Sequence, residues 1–175
     1  GLAMQMTGNS RPASGAEHHL VHLWDMEVVN GHLDALHGEK VSAGTMLVLL
    51  EYKKIADAIR KGNCKVHTCT EEDRELLQST FGKKGILGAI EKENTPELLD
   101  DVSTKELSDT LPGILKIIDA LPAVTDMQEM MNTAGCVSRV RDIGLPGEVI
   151  EESLRLAPYT RRRLSLLRLR KMLTY

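Results

Sequence analysis

The chain has 175 residues, 42% of them hydrophobic and 27% charged. That suffices for one domain with a buried core and is unlike a disordered segment. The formal net charge is −3, and the aromatic residues are only Trp24, Tyr52, Phe81, Tyr159 and Tyr175, which argues against nucleic acid as a partner. Cys64, Cys69 and Cys136 are an odd number that makes a disulfide framework improbable, no apolar run approaches the length that spans a bilayer, and the N-terminus lacks a basic region followed by an apolar one. The expectation is a soluble cytoplasmic protein without a membrane partner.

Helical periodicity dominates, and no segment alternates with period two between hairpin turns. Gly1 to Thr7 reads as the last turns of a helix whose beginning lies upstream. Pro12 interrupts the chain, and Ser14-Gly-Ala-Glu17 has the form of a capping box ahead of a helix reaching about Val29. The longest periodic segment runs from about Gly38 to Lys61, with Val41, Met46, Leu49, Leu50, Ile55 and Ile59 as its apolar stripe, and Gly62 ends it.

Thr70 is placed to cap a short helix to Thr80, and Gly82 to Gly88 reads as loose. Thr95-Pro96-Glu97 has the pattern of a helix start, and Ser103-Thr-Lys-Glu106 that of a second capping box. Pro112 is expected to break or restart that helix before Ile114 to Leu121. Thr125 to Thr133 is helical and closed by Gly135, Pro146 opens Gly147 to Leu156, and Thr160 caps a terminal helix to about Leu173. The reading is a single all-α domain over 1–175, a multi-helix bundle of about eight helices joined by short connections.

The terminal helix carries Arg161, Arg162, Arg163, Arg168, Arg170 and Lys171 with no acid. One reading is a solvated helix docked through Leu164, Leu167 and Met172. The other is a contact with phosphate or an acidic partner.

The chemistry concentrates earlier: five of the six histidines, His18, His19, His22, His32 and His37, lie between positions 18 and 37. His18 and His22 are four apart and share one helix face, with His19 about a quarter-turn away. His37 stands at the mouth of the next helix, across a loop short enough for the two helices to fold back antiparallel. Neutral imidazoles from two facing helices suit zinc, nickel or iron. Two histidines do not complete a site, and Glu17, Asp25 and Asp34 offer no persuasive spacing for a third ligand. Cys64, His67 and Cys69 match no thiolate knuckle, no glycine-rich phosphate loop follows a strand, and no nucleophile elbow is present.

Ser10-Arg-Pro-Ala-Ser-Gly-Ala-Glu-His-His19 and Leu36-His-Gly-Glu-Lys-Val41 resemble the metal-site half of the superfamily of iron-containing alcohol dehydrogenases, glycerol dehydrogenases and dehydroquinate synthases. Within it, the first run is most similar to the sn-glycerol-1-phosphate dehydrogenases, the bacterial branch especially. Arg161-Arg-Arg163-Leu-Ser-Leu-Leu167 is similar to a closing segment of that family, departing at Leu164 and Ser165.

The resemblance implies a C-terminal, helical, metal-binding domain of the dehydroquinate synthase-like type, with the NAD(P)-binding Rossmann-like domain lying outside this chain. It implies His18 and His37 as ligands of a divalent Zn, Ni or Fe ion, with His19 the alternative to His18 and an aspartate upstream as the third ligand. His22 corresponds to a substrate-contacting histidine able to relay a proton. Arg11 is a candidate phosphate partner on its chemistry, and Glu17 is assigned to capping. The implied reaction is interconversion of dihydroxyacetone phosphate and glycerol 1-phosphate, a small polyol phosphate, with NAD(P) held only by the other domain and the fragment alone inactive. A homo-oligomer is compatible with this reading. The alternatives are an alcohol or glycerol dehydrogenase acting on an unphosphorylated substrate, and a non-enzymatic helical module that binds a partner.

Overall fold

The structure is a computed structural model that describes residues 2–8, 14–69 and 73–175. Helix dominates: α1 (Leu2–Thr7), α2 (Ala16–Asp25), α3 (His37–Arg60), α4 (Arg74–Phe81), α5 (Leu87–Glu93), α6 (Thr104–Asp119), α7 (Val124–Thr133), α8 (Ile150–Leu156) and α9 (Leu166–Leu169). Two strands of two residues, β1 (Lys65–Val66) and β2 (Leu173–Thr174), pair antiparallel, with Lys65 opposite Thr174 and Val66 opposite Leu173. Among the described residues no helix is long and apolar enough to cross a membrane.

The long helix α3 organises the core because its two halves bury different neighbours. Ala43, Leu47 and Val48 pack into a cluster built around Leu20, Val21, Leu23 and Trp24 of α2, with Phe81, Leu154, Leu156 and Leu167. The Trp24 indole N–H donates to Ser153 Oγ at 3.1 Å, so its polar edge is satisfied inside that cluster. Further along, Ile55 and Ala56 meet Leu107, Leu111 and Ile118 of α6, together with Leu99, Met172 and Leu173. Gly44 lets α2 and α3 approach closely, since a Cβ there would lie 3.2 Å from the Glu17 carbonyl oxygen.

Several boundaries differ from the sequence expectation for identifiable reasons. The N-cap of α2 is Gly15 rather than Ser14, and the Gly15 N–H is taken by the Glu17 carboxylate at 2.8 Å. The helix stops at Asp25, with Met26 as its C-cap, instead of reaching Val29. Thr70 lies outside the described residues, and the following helix extends to Phe81. Part of the stretch read as loose, from Leu87, is the start of α5. Thr95-Pro96 is a cis peptide bond in a turn, and α6 begins only after Ser103, whose hydroxyl accepts the Glu106 N–H at 3.3 Å. Pro112 stands inside a continuous α6. The buried Leu107, Leu111 and Ile118 lie on both sides of it and hold the two halves on α3, outweighing one lost backbone bond.

The terminal segment departs most. Thr160 is buried, donating to the carbonyls of Ala157 and His19, and caps nothing. Residues 161–165 are non-helical, Ser165 caps the short α9, and the chain ends in β2. Leu167 and Met172 are buried as the docking reading required, but Leu164 is exposed. Nor is the basic run uniformly solvated: Arg168 is 0% exposed. Arg170 bonds Glu51 and Glu151, and Lys171 lies 3.7 Å from Asp73 and 3.8 Å from Glu97. Their acids come from other elements.

This network carries a pH dependence. Burial alone would raise the Glu51 and Glu97 carboxyls. Tyr175, Arg170 and Lys54 outweigh it for Glu51, and Arg168 and Lys171 for Glu97, so both titrate below the ordinary 4.5. The unfolded chain takes up these protons first. The stabilisation is therefore present above the unfolded value and is lost as pH falls below about 4.5 through the folded values. Urea unfolding measured across that range is expected to show the decline, shallower in Glu97→Gln.

Candidate functional site

The last residue of the α2–α3 loop, Leu36, has an extended backbone, and its N–H is taken by Glu39 at 2.7 Å, so α3 starts at His37. His37 therefore stands beside α2, where His18, His22 and Asp25 at spacings of four and three form one stripe. The His18 and His37 rings come together, with centroids 5.7 Å apart and planes inclined at 56°. An ion bonded to one nitrogen of each ring at about 2.0–2.1 Å places the centroids roughly 5–6 Å apart, a range that includes this spacing.

The surroundings bias the rings toward such a role. His18 Nδ1 lies 2.9 Å from Glu17 Oε1, and donation to that carboxylate leaves Nε2 as the lone-pair nitrogen. Burial opposes ionisation of Glu17, but the bonds from His18 and the Gly15 N–H hold its carboxyl below the usual value. Glu17 thus caps α2 and orients His18 at once, and the sequence assignment to capping found only the first role. Asp25 is paired with Lys40 at 2.8 Å and reaches to 3.8 Å from His37 Nδ1. His22 is partly buried, and burial followed by the positive charge of Arg161 lowers its pKa, so it is a neutral donor and acceptor near pH 7.

The remaining residues fall elsewhere. His19 points inward: it is 1% exposed, and burial with the charges of Arg163 and Arg168 brings its pKa down to about 4. His32 is at the surface, paired with Glu27 at 2.9 Å. Arg11 lies outside the described residues. Cys64 and Cys69 are half-buried thiols pushed up by burial. Among the described residues no group of three or more His, Cys, Asp or Glu is placed to hold a metal. His18 and His37 are thus two imidazole donors on neighbouring helices, with no third donor grouped with them among the described residues. Arg161, half-buried with Nη1 on the Thr160 carbonyl at 3.1 Å, is a neighbour of His22 that sequence reasoning did not find, because it is remote in the chain and the segment carrying it was read as helix.

The orienting role of Glu17 has a measurable consequence. Glu17→Gln is expected to weaken divalent-metal binding by about 10–100-fold, read by competition with a chromogenic chelator.

No protein-family model and no solved structure matches the chain. Curated proteins do. It is 33% identical over 168 residues to a glycerol-1-phosphate dehydrogenase (NAD(P)+) of Halalkalibacterium halodurans, covering 95% of this chain and 34% of that protein. Against the enzyme of the same name from Geobacillus stearothermophilus it is 26% identical over 158 residues, 90% of this chain and 32% of the other. With that of Bacillus subtilis it shares 42% over 82 residues, 46% of this chain and 20% of the other. The chain spans about a third of the length of the first two relatives.

Proposed function

We propose, from the premise that this chain is related over nearly its whole length to the glycerol-1-phosphate dehydrogenases, that it is the metal-holding helical part of such an oxidoreductase. Its substrates would be dihydroxyacetone phosphate and glycerol 1-phosphate. The observation that carries this reading is the 5.7 Å spacing of the His18 and His37 rings. In the dehydroquinate synthase-like arrangement this chain supplies the two histidines, and the remaining ligand comes from elsewhere in the protein.

His18 and His37 would hold the divalent ion, zinc, nickel or iron. When bound, the ion supplies Lewis acidity toward the substrate carbonyl oxygen. Glu17 keeps His18 in one tautomer through the 2.9 Å contact at Nδ1. His22, neutral and one turn along α2, can hydrogen-bond a substrate hydroxyl or move a proton to it. Arg161 and Arg11 are the cations of this chain suited to the substrate phosphate. The chain has no glycine-rich dinucleotide loop, so NAD(P) would be held by a separate nucleotide-binding domain.

The test joins the chain to the nucleotide-binding portion of the Halalkalibacterium halodurans relative and follows NAD(P)H oxidation. Turnover of dihydroxyacetone phosphate well above that of dihydroxyacetone is expected, with none from the 175-residue chain alone. Preference for the unphosphorylated ketone would instead assign an alcohol or glycerol dehydrogenase. Chelator-sensitive turnover by the chain alone would contradict the division of labour.

A further inference from the structure

We propose that the depression between the start of α2 and the non-helical segment 161–165 is a binding site for a phosphate-bearing anion, distinct from the His18–His37 pair. The proposal does not rest on the dehydrogenase reading. The pocket encloses about 430 Å³, within the range of small-molecule sites. Ser14 and Gly15 form one side, Arg162, Arg163 and Ser165 the other, and His19 part of the wall between them. No acidic residue lines it, unlike the two pockets around Asp73, which mix carboxylates with their cations.

The two arginines are fixed but not neutralised. Arg162 donates through Nε and Nη2 to the Pro96 carbonyl at 3.0 and 2.9 Å, and Arg163 through Nη1 to the Ser14 carbonyl at 2.6 Å. Among the described residues neither has a carboxylate partner, whereas Arg155, Arg168 and Arg170 all do. Carbonyl anchors hold a guanidinium in place and leave its charge and remaining N–H groups for an anion. Ser165 Oγ accepts the Arg168 N–H at 3.3 Å, so its own proton is free to be donated. The ten-residue α2 begins at the same edge, where the Glu17 carboxylate already takes the Gly15 N–H at 2.8 Å, so the arginines rather than the helix start supply the positive charge.

His19 is the independent observation. It is 1% exposed and forms part of the pocket wall, yet neither Nδ1 nor Nε2 has a hydrogen-bond partner among the described residues. A buried imidazole left without partners is costly and rare. Both nitrogens are closed to solvent, so an anion reaches them only as the pocket wall shifts; a phosphate oxygen then accepts the N–H, and a monoprotonated phosphate can present its hydroxyl to the other nitrogen. Two guanidiniums without a carboxylate partner, a hydroxyl donor and an unsatisfied imidazole thus line one depression. The arginine run supplies the phosphate contact that its sequence left open.

The test is a titration of the 175-residue chain with inorganic phosphate at constant ionic strength, followed by NMR of the imidazole nitrogens and the backbone amides. Saturable shifts at His19, Gly15 and Ser165 are expected. Arg162→Gln, at an exposed position, should weaken them by about tenfold, the loss of one charge-assisted contact. His19→Leu should weaken them as well, and His37→Ala should leave them in place. Methyl phosphate titrated in parallel identifies the source: tighter binding than inorganic phosphate assigns an organic phosphate, weaker binding the free ion. Shifts no larger than those from sodium chloride would overturn the proposal. So would shifts that survive Arg162→Gln and vanish in His37→Ala.

Discussion

Replacing Arg168 with methionine is expected to lower the unfolding free energy by about 3–5 kcal/mol, the cost of removing one partner from a buried charged network. Arg168 is 0% exposed. Its Nη1 donates to Glu97 at 2.7 Å, and its Nη2 is shared among the Asn94 side chain and the carbonyls of Pro158 and Arg161. Four acceptors from two stretches of the chain, 94–97 and 158–161, are satisfied by one planar fork, which is why lysine is not expected to rescue. Without it Glu97 keeps the Leu99 N–H at 3.3 Å and Lys171 at 3.8 Å, and Asn94, itself 8% exposed, loses a donor. Removing the stranded carboxylate as well, in Arg168→Met with Glu97→Gln, should recover part of the loss. Urea denaturation of the four proteins in that cycle measures it, and a loss below about 1 kcal/mol would mean that the arginine is a bystander.

The second large effect concerns metal. His18→Ala and His37→Ala are each expected to lower divalent-metal affinity by about 100-fold or more, beyond the loss typical for an orienting residue such as Glu17. Stability should change little, because His37 is more than half exposed and His18 about a quarter exposed. That separation is diagnostic: a metal-binding loss without a fold loss identifies ligands rather than packing. His19→Ala is expected to leave metal affinity unchanged, since its ring is buried with both nitrogens closed to solvent. Equilibrium dialysis with zinc and with nickel distinguishes the three variants.

What the sequence revealed of this architecture was what is local. His18 and His22, four apart on one helix, share a face because helical geometry alone puts them there, and the short loop to α3 brings His37 beside them. Gly62 and Gly135, both with positive φ, end their helices where the pattern placed them. The misreadings came where distant residues decide. Pro112 is tolerated because α3 holds both halves of α6. Ser14 yields its capping role because the Glu17 carboxylate satisfies Gly15. The terminal arginines lack acids nearby in sequence, and Glu51, Glu97 and Glu151 reach them only through the fold. The pairing of β1 with β2 leaves no local trace, since two-residue strands have no periodicity to detect.

The most direct measurement is titration of the chain with cobalt(II) while the histidine ring signals are followed by NMR. The His18 and His37 signals are expected to broaden together, saturate at a single ion per chain, and be protected together by excess zinc, while His32 and His67 are unaffected. Broadening of His18 and His37 at different cobalt concentrations, or preferential response of the surface histidines, would contradict a shared ion.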